Sequence, residues 1–239
     1  MKRLGIIGGV SWHSSLEYYR LINEGIAQRL GRKHSAQLVI SSLDFADLLM
    51  WQKNPDENVL MQAFLAEGVR LKAAGCDGFI IASHTLSWLG DHIQSQLGLN
   101  HVSLYEALFK RLRRLGAKRV GLTGTRYTMG DAIYRSRYTE AGFDLQVPDE
   151  PYFTGVASIV FKELVHGVFK DESRTLFYRC FDHVAEKGVD AIVLGCTEIG
   201  LLVRERTWPV RGSTSIGQIA LVDLIESHAA ASVEWMLQN

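Results

Sequence analysis

The sequence predicts an α/β protein built from two similar lobes with parallel sheets. Two observations carry this prediction. Short β-branched runs alternate with longer amphipathic stretches, which is the pattern of a parallel sheet covered by helices on both faces. In addition, residues 3–9 (RLGIIGG) are echoed by residues 119–125 (RVGLTGT), and a Tyr-Arg pair follows each segment at a similar distance. We therefore expect two β/α halves related by a pseudo-two-fold axis.

The elements follow in order along the chain. Short apolar runs bounded by turn residues predict strands near 3–8, 37–43, 78–82, 101–104, 119–123 and 190–194. Apolar residues at helical spacing predict helices at 14–30, 57–74, 86–97, 104–115, 130–142, 155–167, 172–187 and 216–236. Only four prolines are present, and no flexible linker is recognisable. We expect an N-terminal lobe of residues 1–102 plus 214–239 and a C-terminal lobe of residues 103–213.

Composition restricts the classes of partner. Hydrophobic residues make up 47% of the 239 residues and charged residues 22%, which is ordinary for a globular protein. The 26 basic residues balance the 26 acidic ones, so no overall field favours nucleic acid or an anionic membrane. The basic run at 110–119 has leucines at helical spacing, which indicates a solvated helix face. A small-molecule partner is expected.

No membrane or metal signal is recognisable in the sequence. No apolar run approaches the roughly 18 residues that a membrane-spanning helix needs, and the first apolar stretch is too short for a signal peptide. We therefore expect a cytoplasmic protein. The sequence has three cysteines, Cys76, Cys180 and Cys196. Their spacing is neither that of metal ligands nor that of a C-x-x-C motif, so we expect three free thiols and no metal site.

Polar loops follow four of the predicted strands, at residues 8–15, 82–85, 124–128 and 195–198. In folds of this kind ligands bind beyond the carboxyl ends of the strands. Glycines in the first loop let the backbone approach a ligand, and the free N–H groups of the next helix favour an anion, although a plain turn with a capping serine is the alternative. The third loop has the same placement and two hydroxyls. Two such anion sites suggest a dicarboxylate or an α-amino acid.

Cys196 is the candidate reactive residue, because it lies where a strand should end and is followed by Thr197 and an acidic residue. A free thiol titrates near pH 8.5, and a position beside helix N-termini would lower its pKa and supply thiolate at neutral pH. Such a thiolate can remove or return a proton at carbon. The alternative is a small buried apolar residue, which is favoured for Cys76 and Cys180.

Four motifs fall in order along the chain: GGVSWHS at 8–14, YYRLIN at 18–23, GTRYTM at 124–129 and GCTEI at 195–199. Through them the chain resembles the cofactor-independent aspartate/glutamate racemase superfamily over nearly its whole length. The resemblance implies two Rossmann-like lobes with the active site in the cleft between them, a homodimer, and catalysis without pyridoxal phosphate or metal. It also implies two catalytic cysteines, one in each lobe, which exchange protons on opposite sides of the substrate Cα.

The resemblance carries over to this chain residue by residue. Cys196 corresponds to the second-lobe cysteine. The expected substrate contacts are the side chains of Ser11, Trp12, Thr85, Thr125, Thr128 and Thr197. The first-lobe motif, which typically reads Cys-Thr-Asn-Thr, is Ala82-Ser83-His84-Thr85 here. Each half has a Gly-x-Asp turn before a strand, at residues 75–77 and at residues 188–190. Aligning the two halves by these turns puts Ser83 opposite Cys196, so either Ala82 or Ser83 occupies the place of the missing cysteine.

Three functions stay open at this point. The first is a racemase or epimerase in which His84 supplies the second proton, with Ser83 beside it, since histidine titrates near pH 6.5 and can act as acid or base. The second is a single-cysteine decarboxylase or isomerase of a small carboxylic acid, similar to arylmalonate decarboxylase. The third is a ligand-binding pseudoenzyme.

Two further features of the resemblance concern substrate recognition. The later Asp-Thr…His segment of the superfamily corresponds to Gly212-Ser213 and Gly217 here. Candidates for binding a side-chain carboxylate, from approximate position, are Lys53, Lys162 and His166.

Overall fold

The computed structural model describes residues 1–53, 57–209 and 217–238. It divides into two compact units, one formed by Met1–Ala107 with Ile225–Asn239 and the other by Leu108–Leu224. Each unit has its own sheet, and helices alternate with the strands along the chain. The α/β fold with two mostly parallel sheets is therefore the one that the sequence predicts.

Nine strands are present in the described ranges. They are β1 (Leu4–Gly8), β2 (Leu38–Ser42), β3 (Gly78–Ile81), β4 (Asn100–His101), β5 (Arg119–Gly124), β6 (Asp144–Gln146), β7 (Ala191–Gly195), β8 (Thr207–Pro209) and β9 (Gln218–Asp223). The first unit has a parallel sheet in the order β2-β1-β3-β4. The second has the order β6-β5-β7-β9-β8, in which only the edge strand β8 runs antiparallel to its neighbour.

The helices of the described chain alternate with these strands. They are α1 (Trp12–Leu30), α2 (Phe45–Lys53), α3 (Glu57–Ala73), α4 (Leu89–Leu97), α5 (Leu104–Arg114), α6 (Arg126–Gly130), α7 (Ala132–Glu140), α8 (Tyr152–Lys162), α9 (Asp171–Glu186), α10 (Ile199–Leu202) and α11 (Leu224–Met236), with a 3₁₀ turn at Leu164–His166. No described helix combines the length and the apolarity that crossing a membrane would require.

The first unit has an apolar layer on each face of its sheet. Because successive strand residues point to opposite faces, Leu4 and Ile6 of β1 pack with buried residues of α1 and α11, whereas Ile7 packs with residues of α2, α3 and α4. Removing this apolar surface from water is the main favourable term in folding. The central strands β1 and β3 are fully buried and apolar on both faces for that reason.

The sequence echo between the halves corresponds to repeated contacts. In the first unit the backbone N–H of Arg3 donates to Asp77 Oδ2 at 2.6 Å, and the N–H of Asp77 donates to the Arg3 carbonyl at 2.9 Å. In the second unit the N–H of Arg119 donates to Asp190 Oδ2 at 2.9 Å, and the N–H of Asp190 donates to the Arg119 carbonyl at 2.8 Å. The Gly-x-Asp turns therefore fix the start of β1 and of β5 in the same way.

The C-terminal segment differs from its prediction. A single helix was expected over 216–236, but Gln218–Asp223 is a strand that pairs with β7, and α11 begins only at Leu224. β9 is a short apolar run directly followed by a helix without an intervening Gly or Pro, so its periodicity does not separate it from the helix. The short edge strands β6 and β8 were also not predicted.

The division into units also differs from the expected lobe boundaries. The structural division falls after Ala107 and after Leu224, rather than after residues 102 and 213. The boundary after Leu224 lies later than expected partly because of β9, whose pairing with β7 makes it a strand of the second sheet. Residues 213–216, where the second boundary was expected, lie outside the described residues.

A buried hydrogen-bonded chain connects α1, α11 and the segment between β4 and α5 in the first unit. Tyr18 of α1 and His228 of α11 are both buried, with Tyr18 Oη 2.8 Å from His228 Nδ1 and His228 Nε2 2.7 Å from the carbonyl oxygen of Val102. A carbonyl can only accept, so Nε2 carries the proton, and Nδ1 accepts from the Tyr18 hydroxyl. Burial lowers the pKa of His228 to about 3, which keeps the ring neutral at physiological pH.

Candidate active site

The second unit places Cys196 directly after the buried strand β7, as expected. The Cys196 Sγ–H donates to Glu198 Oε2 at 2.9 Å, and the Thr197 hydroxyl donates to the same oxygen at 2.8 Å. All three residues are buried, and Glu198 is only 2% exposed. Cys196, Thr197 and Glu198 are referred to below as the cysteine loop. In this loop one buried carboxylate oxygen accepts from both neighbouring side chains.

The expectation of a thiolate-like Cys196 is wrong for this structure. Burial raises the pKa of the Cys196 thiol well above its ordinary value, and the negative charge of Glu198 raises the pKa further. The expected lowering by helix N-termini does not prevail, because the following helix α10 has four residues and its N-cap is Glu198 itself. Cys196 is therefore a protonated thiol, and its proton is directed at a carboxylate.

Glycines explain why the cysteine loop begins where it does. Gly195 pairs with Gly124 of β5, and a Cβ at Gly195 would lie 2.4 Å from Leu122 Cδ1 and 2.7 Å from the Thr123 carbonyl oxygen. A Cβ at Gly124 would lie 2.6 Å from Thr128 Oγ1. Only glycine fits at both strand ends, so the backbones of the 124–128 loop and the cysteine loop approach each other closely.

The hydroxyls of the 124–128 loop are engaged in capping α6. Thr125 Oγ1 accepts from the Thr128 N–H at 3.1 Å, and Thr128 Oγ1 accepts from the Thr125 N–H at 3.0 Å, which is a reciprocal capping box. Thr128 is fully buried and Thr125 is half-buried. Both expected substrate contacts therefore have a structural role already, and Thr125 is the more accessible of the two.

The first loop of the other unit has an unusual backbone. Ser11 has φ 62° and ψ 115°, a region that a non-glycine residue enters only under strain. Gly9 also has a positive φ, and a Cβ there would lie 2.0 Å from the Leu43 carbonyl oxygen. The Gly9 N–H donates to Ser15 Oγ at 3.0 Å. This loop is thus fixed by its packing on the end of β2, with Ser11 held in a strained conformation.

Ser11 and Trp12 differ in exposure. Ser11 is buried, and its Oγ lies 3.4 Å from His13 Nδ1. Trp12 is 60% exposed and stacks on the His13 ring at a centroid distance of 3.8 Å. A tryptophan that is this exposed at the start of a helix contributes little to the core.

The register of the strands shows which residue of the first unit is equivalent to Cys196. Ile7 pairs with Ile81, and one residue later the N–H of Ala82 donates to the Ile7 carbonyl at 2.9 Å. In the second unit the matching pair is Thr123 with Leu194. Ala82 is therefore equivalent to Gly195, and Ser83 is equivalent to Cys196. The register agrees with the alignment through the Gly-x-Asp turns.

The side chains of this segment lie in different surroundings. Ala82 is fully buried in the apolar layer that contains Leu4 and Ile6. Ser83 is buried, and its Oγ accepts from the Leu86 N–H at 3.4 Å. His84 is also buried, with its ring 5.3 Å from that of Tyr105. Thr85 is half-buried.

The remaining candidates lie apart from these loops in the chain. Lys53, Lys162 and His166 are exposed residues at or near helix ends. Cys180 is buried in α9, where burial raises the pKa of its thiol to about 12, and Cys76 is buried with a raised pKa for the same reason. All three thiols are free. Gly212 and Ser213 lie outside the described residues.

Sequence reasoning missed two buried carboxylates of the second unit, Glu198 and Asp223. Glu198 was given no role beyond its place in the GCTEI motif, although its position two residues after Cys196 lets its side chain turn back to the thiol. Asp223 ends β9 and is buried. A signal was available, because Asp223 and His228 have the same spacing as the Asp-Thr…His segment that was assigned to residues 212–217. Leu224 then stands in the place of the threonine.

A metal site is not visible in the part of the chain that the structure describes. Within it, no group of three or more His, Cys, Asp or Glu side chains is arranged so that it could hold a metal ion.

Comparison with known proteins adds to this geometry. A profile of the family described as Asp/Glu/Hydantoin racemase matches residues 7–231. A candidate Asp/Glu racemase from Yersinia pestis is 32% identical, with a TM-score of 0.87, and each chain is covered completely. An aspartate racemase homologue from Pyrococcus horikoshii OT3 is 25% identical, with a TM-score of 0.82 and complete coverage of both chains.

A more distant likeness concerns the alternative chemistry. A variant of arylmalonate decarboxylase is 15% identical, with a TM-score of 0.54, and the match covers 98% of this chain and 92% of that one. At this identity the likeness extends to the fold alone.

Proposed function

Because the chain belongs to the Asp/Glu/hydantoin racemase family, we propose that it is a cofactor-independent racemase or epimerase acting at the Cα of an amino acid of the aspartate or glutamate type. Cys196 is one acid/base group of this reaction. The observation that carries the proposal is the thiol-to-carboxylate hydrogen bond at the end of β7. The proposed enzyme acts as a homodimer, with a small carboxylic acid as its partner and without a cofactor.

The Cys196–Glu198 pair shares one proton. With the proton on sulfur, the thiol can donate it to a carbanion at Cα. With the proton on Glu198, the thiolate can remove a proton from Cα. Moving the proton between the two atoms therefore changes the pair from acid to base without a net change of charge. A thiol with a raised pKa is a weak acid in water, but a developing carbanion is a strong base, and proton donation to it is favourable.

His84 supplies the second proton transfer in the proposed reaction. A neutral imidazole takes a proton from Cα in one direction and, as imidazolium, returns it in the other. Ser83, at the position equivalent to Cys196, is a far weaker acid than a thiol and cannot replace one alone. Ser11, Trp12, Thr85, Thr125 and Thr197 are the proposed substrate contacts, and Thr128 supports Thr125 through the capping box.

Proton exchange in D₂O tests the proposal directly. The L- and D-forms of aspartate, glutamate and neutral amino acids are incubated with the protein, and loss of the Cα proton signal is followed by ¹H NMR. We expect exchange together with appearance of the enantiomer. Substituted malonates serve as a second panel, and release of CO₂ from them without exchange of any amino acid would contradict the racemase proposal in favour of a decarboxylase.

Variants assign the roles within the same assay. Cys196→Ala should lower exchange by about 10²- to 10⁴-fold, the usual contribution of a positioned acid/base group, and His84→Asn should abolish racemisation while ligand binding persists. Cys180→Ala is the control, since that thiol lies in the core of α9. Exchange that continues unchanged in Cys196→Ala would overturn the proposed role of the thiol. Tight ligand binding without any turnover would instead identify a pseudoenzyme.

A further inference from the structure

Asp223 lies next to the cysteine loop at the end of the neighbouring strand. It is the last residue of β9, where it pairs with Leu194 of β7, and Cys196 follows Leu194 by two residues. Strands β7 and β9 are parallel, so Asp223 lies at the same edge of the sheet as the cysteine loop. It is only 8% exposed.

The carboxylate of Asp223 contacts the helix that follows the cysteine loop. A Cβ at Gly200 would lie 1.8 Å from Asp223 Oδ2 and 2.9 Å from its Cγ. Real Cβ atoms do not approach another atom so closely, so glycine is required at this position of α10 while Asp223 keeps its conformation. The side chain of Asp223 therefore lies directly against the backbone of α10.

Helix α10 is continuous with the residues that hold the thiol. Glu198 is its N-cap, and the Ile199 N–H donates to the Cys196 carbonyl at 3.1 Å. A shift of α10 relative to β9 therefore displaces Glu198 relative to the end of β7. On the other side, Gly195 is fixed by its close packing against Leu122 and Thr123 of β5. The cysteine loop is thus held between two contacts, and Asp223 makes one of them.

We propose that Asp223 is a positioning residue, whose contact with Gly200 fixes α10 and so keeps Glu198 within hydrogen-bond distance of the Cys196 thiol. The catalytic significance of this role rests on the proposed function, whereas the effect on the thiol does not. Asp223 acts through Glu198 and has no contact with the reacting atoms in this inference.

Three variants separate contact from charge. Asp223→Ala removes the contact, Gly200→Ala forces Asp223 and α10 apart, and Asp223→Asn keeps the shape while removing the charge. Glu163→Gln is the matched control, since Glu163 is a half-buried carboxylate of the same unit that accepts from Ser173 Oγ. Each protein is treated with iodoacetamide at pH 8, and the labelling rate of Cys196 is measured by peptide mass spectrometry. The kcat and KM for the amino-acid substrate are measured alongside.

The contact with Gly200 predicts a specific pattern. Asp223→Ala and Gly200→Ala should each speed Cys196 labelling and lower kcat by about tenfold to a hundredfold, the size of effect that a misplacement near 1 Å produces, with little change in KM. Asp223→Asn and Glu163→Gln should stay close to wild type in both measurements. Cys180 reports global loosening, and its labelling should not change.

Other patterns would overturn the inference. Wild-type labelling of Cys196 in folded Asp223→Ala would show that the contact does not position the loop. An effect of Asp223→Asn equal to that of Asp223→Ala would show that the charge, and not the contact, is responsible. If Asp223→Ala does not fold, Gly200→Ala and Asp223→Asn test the inference through the same two measurements. Wild-type labelling of Cys196 in Gly200→Ala, or faster labelling in Asp223→Asn, would then overturn it. An inactive wild type would count against the proposed function, while the labelling pattern would still test the role of Asp223.

Discussion

At the scale of single residues, the state of Cys196 results from a competition between burial and local dipoles. Transfer of a thiolate into a buried site is unfavourable, and a carboxylate 2.9 Å away makes it more so. The helix that could favour the thiolate is a single turn. The balance keeps the proton on sulfur, in agreement with the direction of the pKa shift. A strand-end cysteine followed by a helix therefore need not be a thiolate.

Removing the charge of Glu198 should make Cys196 more reactive. Glu198→Gln keeps the shape of the side chain but removes the negative charge that raises the pKa of the thiol. We expect the iodoacetamide labelling rate of Cys196 at pH 8 to rise several-fold, roughly, because a lower pKa leaves a larger fraction of the thiol as the reactive thiolate. Cys76 and Cys180 serve as internal controls, because neither pKa depends on Glu198. A rate that stays the same or falls would mean that burial alone controls the thiol.

The residue-level prediction from sequence was partial for an identifiable reason. The position of Cys196 at the end of a strand follows from the apolar run before it, and the structure has it there. Its protonation state depends on the exposure of Glu198 and the length of α10, neither of which the sequence pattern expresses. Asp223 was missed because its strand was merged with α11, which concealed the fact that it stands at a strand end.

At the scale of elements, α1 and α11 are joined by more than apolar packing. Tyr18, His228 and the Val102 carbonyl form a buried chain of hydrogen bonds whose donors and acceptors are matched. The neutral ring of His228 is required, since a protonated Nδ1 could not accept from the Tyr18 hydroxyl. This arrangement links stability to pH in a definite direction.

His228→Leu should lower the free energy of unfolding at neutral pH and should also make that free energy less dependent on pH in the acid range. At pH 7 the change leaves a buried hydroxyl and a buried carbonyl without these bonds, and we expect a loss of about 2 kcal/mol. The folded-state pKa of His228 is lowered to about 3, whereas the unfolded value is near 6.5. The contribution of the neutral ring is therefore complete above pH 6.5 and is lost as the pH falls toward 3, because only the unfolded state gains the proton.

Urea unfolding at pH 7 and at pH 4 measures both effects. Between pH 6.5 and pH 4, wild type should lose about 1.4 kcal/mol of stability for each unit of pH that His228→Leu does not lose, or about 3 kcal/mol in all. Because this exceeds the advantage of about 2 kcal/mol that wild type has at pH 7, we expect His228→Leu to be the more stable protein at pH 4. Ser232→Ala is the control, since Ser232 donates to the His228 carbonyl at 2.8 Å and does not titrate in this range. A difference that is the same at both pH values would mean that His228 titrates alike in both states.

At the scale of the whole molecule, the repeated β/α half was the most informative part of the sequence. The echo predicted two similar sheets, and the contacts of Arg3 with Asp77 recur between Arg119 and Asp190. Local pattern could place β1, β3, β5 and β7, because each is a buried apolar run between recognisable turns. It could not place β6, β8 or β9, whose existence depends on pairing with strands distant in the sequence.

The repeat also decides which residue of the first unit should carry a second thiol. The register makes Ser83 the equivalent of Cys196, whereas Ala82 is the equivalent of Gly195 and is packed in the apolar layer on the α1 side of the sheet. Ser83→Cys should therefore raise kcat/KM for racemisation, by about tenfold or more if the new thiol takes over as acid or base. Ala82→Cys should not, because its side chain enters a core without a polar partner and its thiol stays neutral.

Two double variants serve as controls for the comparison of Ser83→Cys with Ala82→Cys. In Ser83→Cys combined with Cys196→Ala, the gain should disappear, because the new thiol then has no partner cysteine. His84→Asn added to Ser83→Cys should retain most of the gain, since the thiol replaces the proposed role of His84. If Ala82→Cys were the more active of the two single variants, the register would not define the catalytic position, and the first-lobe motif of the racemase family would align with Ala82 instead. The kinetic order of the two cysteine variants therefore tests whether the structural repeat of the sheets extends to the chemistry at their ends.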